Sequence, residues 1–141
     1  IYKEWFVNFR FPGYEKARFV DSELGKIPEG WEVKNISKVL TIQNGFAFKS
    51  NDFEKNGKYG IVTIKNVQDG YFADICQNYI TVIPKNMPEH CKLQRGDILL
   101  SLTGNVGRIC LVYGKNFLLN QRVAKLVPVI KEIKAFIYFL T

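Results

Sequence analysis

Between Tyr59 and Val129 the chain keeps breaking off. Apolar runs at 59–64, 79–83, 98–102, 108–113, 117–119 and 123–129 are separated by turn-forming residues: Asp69-Gly70, Pro84, Gly104-Asn105 with Gly107, and Gly114-Lys115-Asn116. Runs of this length, rich in Val, Ile, Leu, Tyr and Phe and punctuated by Gly, Pro and Asn, form strands. No apolar stretch approaches the roughly 20 residues that a membrane-crossing helix needs. The pattern predicts a compact α+β fold of short curved strands with a few short helices.

The flanks read differently. In residues 1–9, Ile1, Trp5, Phe6 and Phe9 have the spacing of a helix stripe, which Phe11-Pro12-Gly13 ends. The segment reads as the end of a helix, and its exposed aromatics are expected to need a partner. Residues 14–30 read as an extended linker. Trp31 and Val33 suggest a short strand. Asn35 is a candidate cap for a helical turn carrying Ile36, Val39 and Leu40. Thr41-Ile42-Gln43 runs into Asn44-Gly45, a hairpin signal. Ser50, Asn51 and Asp52 are placed to start a short helix ending near Gly57. Residues 84–95 read as a loop. From 131 to 141, Ile133, Phe136, Ile137 and Leu140 return to helical spacing.

Charge narrows the choice of partner. Twenty Lys and Arg against thirteen Asp and Glu give a net charge of +7, with the basic residues spread through the folded pattern rather than collected in a tail. A balance of this size suits an anionic partner, nucleic acid before a membrane. The three cysteines, Cys76, Cys91 and Cys110, are odd in number and widely spaced. With charges at the N-terminus and no leader-like apolar stretch, they point to a reducing, cytoplasmic setting. The single histidine, His90, stands beside Cys91 without a Cys-x-x-Cys pair. Neither a zinc site nor a Ser-His-Asp site is expected from it, and no cofactor is expected.

The stretch GDILLSLTGNVGRICLV (96–112) tests the phosphate-loop idea. A P-loop needs Lys-Ser/Thr after its glycines and a helix behind them. Here Gly107 is followed by Arg108 and a strand-like run. The stretch reads as a hairpin whose glycines, Gly104 and Gly107, shape the tip. Thr103 and Asn105 bring hydrogen-bonding groups there, and Arg108 brings charge. The same mixture recurs in Asn44–Ser50, with Gly45 and Lys49, in Thr63–Asn66, with Lys65, and in Asn120-Gln121-Arg122. Lysines suit phosphates, while Asn, Gln and Arg suit base edges in the major groove. Four such clusters at strand ends are candidates to share one surface, or simply to face water.

Enzyme signatures are sparse. Glu32-Val33-Lys34 and Glu132-Ile133-Lys134 match the Glu-x-Lys element of metal-dependent nucleases. A composition like this yields roughly one such match by chance. On the residues alone, a nuclease domain and a protein-interaction module working through its aromatic ends both stay open beside nucleic-acid binding.

Four stretches together, LGKIPEGWEV (24–33), IQNGFAFKSNDF (42–53), GDILLSLTGNVGRI (96–109) and NQRVAKLVPV (120–129), resemble the specificity subunit of type I restriction-modification enzymes. IYKEWFVNFRFPGY and KEIKAFIYFL resemble the ends of the helices that flank a target recognition domain in that family. The resemblance implies three parts: the end of a preceding helix with a linker over 1–23, a recognition domain over 24–130, and the start of a following helix over 131–141. It implies a DNA-reading component with no catalysis of its own. The expected partners are duplex DNA, methyltransferase (modification) subunits, motor-nuclease subunits, and a second recognition domain in the same or another chain. Base-touching residues in such subunits vary with the target. The candidates here are therefore chosen by chemistry: Lys49, Lys65, Asn66, Thr103, Asn105, Arg108, Gln121 and Arg122, with Gly45, Gly104 and Gly107 shaping loops.

Overall fold

A computed structural model describes residues 1, 3–130 and 133–140, and among these described residues ten short strands and one regular helix organise the fold. Strands β3 (Leu40–Asn44), β10 (Val123–Pro128), β7 (Ile98–Ser101) and β8 (Ile109–Leu111) form one antiparallel sheet in that order. Strands β5 (Tyr79–Ile80), β4 (Tyr59–Val62), β9 (Phe117–Leu119) and β6 (Lys92–Leu93) form a second. In it β4 and β9 are parallel and the outer pairs antiparallel.

Strand β7, inside the first sheet, is covered on both faces, which explains why it reads Ile-Leu-Leu-Ser rather than alternating with polar residues. Successive strand residues point to opposite faces. Leu99, Cys110 and Val123 pack with Ile61, Val62, Leu118 and Leu119 of the second sheet in the larger core. Ile98, Ile109, Leu126 and Leu40 point the other way and meet Ile137 of helix α1 (Lys134–Leu140). Ile137 is fully buried there, which contributes about 1.5–3 kcal/mol for a side chain of this size. The helical stripe at the C-terminal end thus serves as a lid on the sheet. The side chain of Leu140 lies outside the described residues.

Five local expectations are corrected. Residues 84–95 are not all loop: Glu89–Cys91 is a tight helical turn and β6 pairs with β9. Residues 14–30 are no linker: β1 (Phe19–Ser22) and β2 (Gly25–Pro28) form a hairpin that runs through the expected boundary at 23 and 24. Trp31 and Val33 lie in no strand. Trp31 instead packs against Phe6, Phe9 and Phe11. Asn44-Gly45 closes no hairpin, because β3 finds its partner in β10, far along the chain. The chain continues past Gly45 to a parallel bridge between Phe46 and Asn120. A Cβ on Gly45 would overlap the Asn120 carbonyl, so glycine serves close approach there rather than a turn. The helix from Ser50 is a single tight turn, Ser50–Asp52. It stops because Glu54 bridges Tyr79.

The N-terminal segment is a wide helical turn, Lys3–Val7. It finds part of its partner within the chain, with Phe6 against Phe136 at 5.0 Å and Phe9 against Phe19 at 5.9 Å between ring centres. Trp5, Val7 and Leu24 stay exposed. Among the described residues no helix is long and apolar enough to cross a membrane.

Candidate nucleic-acid interface

The parallel pairing of β4 and β9 builds the site. Val62 is paired with Leu119, so the two strands end side by side. The segments that leave them, Thr63-Ile64-Lys65 and Asn120-Gln121-Arg122, are therefore neighbours although far apart in sequence. Asn120 fixes the second segment: its N–H donates to the Val62 carbonyl at 3.1 Å, and its Oδ1 accepts the Arg122 N–H at 3.2 Å. The bridge from Phe46 to Asn120 brings in Phe48 and Ser50. The β7–β8 tip joins through the Leu102 N–H, which donates to the Arg122 carbonyl at 3.0 Å. Gly104 in that tip lies against Ile64, where a Cβ would come within 3.0 Å of the Ile64 methyl.

The result is an open cleft of about 400 Å³. Phe48, Phe53, Ile61 and Ile64 give it an apolar floor; Thr63, Gln77, Asn78, Asn120 and Gln121 bring hydrogen-bonding groups; Lys65 and Arg122 bring charge. Among the described residues no carboxylate lines it. Gln121, Arg122 and Lys65 are exposed, and among the described residues neither cation has an ion-pair partner. Two unneutralised cations beside amide side chains suit a polyanion that also displays hydrogen-bonding edges.

The tip itself is tied from inside. Ser101, buried, donates its hydroxyl to the Asn105 carbonyl at 2.5 Å and accepts the Arg108 N–H at 3.0 Å. Gly104 and Gly107 have φ of 69° and 91°, which glycine adopts without strain. Thr103 and Asn105 are exposed at the tip, while Arg108 is half-buried at its base.

Two candidates part from this group. Asn66 is only 2% exposed. Its Oδ1 accepts the Thr63 N–H at 2.9 Å, and its Nδ2 donates to the Ala73 and Ile75 carbonyls at 2.7 and 3.1 Å. Every strong hydrogen-bonding capacity of the side chain is used on backbone, so in this structure Asn66 holds the loop after β4 and offers no free group to the cleft. Lys49 lines a different depression, with Phe46, Ala47, Asp52, Pro84 and Asn86. Gln77 and Asn78, in contrast, line the main cleft and carried no signal in the sequence: no glycine or basic residue stands beside them.

Of the two Glu-x-Lys matches, the described one, Glu32-Val33-Lys34, forms an exposed ion pair. Glu32 is ion-paired with Lys34, whose ammonium lowers the Glu32 carboxyl from its ordinary pKa by hydrogen bonding and charge. Glu132 lies outside the described residues. Among the described residues no three His, Cys, Asp or Glu side chains gather as a metal site. His90 is tied by Nε2 to the Asn44 carbonyl at 2.8 Å. Burial pushes the thiols of Cys76 and Cys110 up to about 11 and about 12. Thiols held neutral in this way are poor nucleophiles.

The strand ends of this α+β domain gather cations and amides round an open cleft, an arrangement suited to binding. Residues 28–141 match the family described as Type I restriction modification DNA specificity domain, and the chain belongs to that family. It is similar to the type I restriction enzyme MjaVIII specificity subunit of Methanocaldococcus jannaschii, at 31% identity over 90% of this chain and 31% of that protein. The putative MjaX specificity subunit of the same organism is 32% identical over 76% of this chain and 26% of its own length. In fold, the chain resembles the crystal structure of the HsdS subunit from Thermoanaerobacter tengcongensis, with a TM-score of 0.62 and 17% identity over 86% of this chain and 29% of that one. The chain thus spans about a third or less of the length of these relatives.

Proposed function

We propose that this chain grips a few base pairs of duplex DNA at the strand-end cleft and so directs methylation and cleavage by partner subunits. The observation that carries the proposal is the meeting of Lys65, Gln121 and Arg122 at the parallel ends of β4 and β9, in a cleft that no carboxylate lines among the described residues. Lys65 and Arg122 hold phosphates; Gln121 and the tip residues Thr103, Asn105 and Arg108 face base edges. Lys49 extends the phosphate contacts from its own depression. Gly45, Gly104 and Gly107 keep the loops in shape.

The remaining partners follow from the same reading. Modification subunits and motor-nuclease subunits join the assembly, and a second recognition domain, in this or another chain, reads the other half of a bipartite site. The exposed Trp5, Val7 and Leu24 beside the Phe6–Phe136 contact suit docking of those subunits. In this reading the recognition domain spans 24–130 with helix ends on either side, and the β1–β2 hairpin straddles its first boundary.

The test is binding of fluorescent duplex DNA by the assembled specificity subunit with its modification subunits. Lys65→Ala and Arg122→Ala each weaken binding and each flatten the fall of log K with log salt by about one unit. Unchanged affinity and slope in both variants refute the assignment of this face.

A further inference from the structure

Arg108 is held by two amides. Its Nη1 donates to Gln68 Oε1 at 2.8 Å. The Asn105 carboxamide, turned so that its oxygen faces the guanidinium, accepts from Nη2 at 2.7 Å and from Nη1 at 3.3 Å. Gln68 is itself oriented, because its Nε2 donates to the Lys65 carbonyl at 2.7 Å and so leaves Oε1 toward Arg108. The turn that carries it is fixed as well. The Gln68 N–H donates to the Tyr71 carbonyl at 3.1 Å, and the Gly70 N–H to the Ile109 carbonyl at 3.0 Å.

A guanidinium has five N–H donors in a rigid planar fork. Asn105 takes the edge between the two terminal nitrogens, and Gln68 takes the other hydrogen of Nη1. What remains is the Nε–H and the outer Nη2–H, parallel on one edge of the plane. That pair of donors matches O6 and N7 of guanine in the major groove. A phosphate accepts from many directions and needs no fixed plane. A base edge does, and two neutral amides fix this plane without cancelling the charge.

We propose that Arg108 reads a guanine through its Nε/Nη2 edge, and that Gln68 is the positioning residue that aims it. The inference rests on the reading above, that the tip meets duplex DNA.

The test uses the full specificity subunit assembled with its modification subunits, on the duplex found by mapping the adenines it causes to be methylated. Each guanine of the half-site is replaced in turn by 7-deazaguanine, which pairs normally but lacks N7, and by inosine, which keeps O6 and N7. At one position 7-deazaguanine weakens binding about 5-fold or more, within the roughly 5- to 150-fold range of a bidentate contact, while inosine is tolerated. Arg108→Ala and Arg108→Lys are insensitive to 7-deazaguanine at that position. Gln68→Ala loses most of the sensitivity there while the salt slope is unchanged, which a merely structural role would not produce. The proposal is overturned if no position responds in this way. It is equally overturned if Arg108→Ala weakens all duplexes alike and lowers the salt slope by about one, the mark of a phosphate contact. If the unaltered assembly shows no preference for its mapped duplex, the DNA-reading function itself fails.

Discussion

Replacing Asn66 by alanine separates a scaffold role from a reading role. The substitution removes hydrogen bonds to the Thr63 N–H and to the Ala73 and Ile75 carbonyls, at 2.9, 2.7 and 3.1 Å. At about 0.5–1.5 kcal/mol net each, three such bonds amount to roughly 1.5–4.5 kcal/mol. The position is 2% exposed, so water replaces the lost partners poorly and the cost falls in the upper part of that range, about 3–4 kcal/mol. A chain of 141 residues has roughly 7–21 kcal/mol of stability at typical per-residue values, so the variant still folds. Its thermal midpoint drops by about 6–16 °C. Urea denaturation followed by far-ultraviolet circular dichroism measures the free energy, with Asn66→Asp beside it. The aspartate keeps an acceptor for Thr63 but sets a carboxylate against two carbonyls, so it destabilises at least as much as alanine. A loss below about 1 kcal/mol in Asn66→Ala, or an Asn66→Asp variant as stable as the parent, refutes the scaffold role. Weakened DNA binding without loss of stability returns Asn66 to the readers.

Two further outcomes follow from the core. Gly45→Ala forces a Cβ into the Asn120 carbonyl, so it lowers the denaturation midpoint and weakens DNA binding together, because Asn120 anchors Arg122. A stable variant with normal binding would show that the two segments separate easily. The buried thiols set a limit on the alkaline side. Folding holds Cys76 and Cys110 neutral, with pKa values pushed up to about 11 and about 12. Unfolded thiols ionise near pH 8.5, so the contribution of these groups is complete below that pH and declines as pH rises toward 11 and 12. Denaturation midpoints at pH 8 and pH 10 check this against a Cys76→Ala, Cys110→Ala variant, whose midpoint falls less over that interval.

Local patterns were legible because they depend on neighbours in sequence. The apolar runs at 98–102 and 123–129 become β7 and β10 within a residue or so. Asn35 caps the turn Ile36–Lys38 by accepting the Ser37 N–H. Expectations failed where a distant partner overrode a local signal: Asn44-Gly45 looks like a hairpin until β10 takes β3 as its neighbour, and the stretch 14–30 shows no period although its two strands pair over four residues each. Asn66 has the chemistry of a base reader, and only burial reveals that its groups are used on the backbone.

The sequence by itself determined the mostly-strand class, the basic character and the kinds of side chain available for DNA, because composition and short-range periodicity are properties of the chain alone. The family resemblance was legible too, in the order of four motifs. Only the tertiary structure decided which candidates share a surface. The parallel pairing of Val62 with Leu119 brings Lys65 and Arg122 to one cleft, and the turn at Gln68 sets the plane of Arg108. Both depend on contacts across long stretches of chain, and spacing along the sequence carries no record of them.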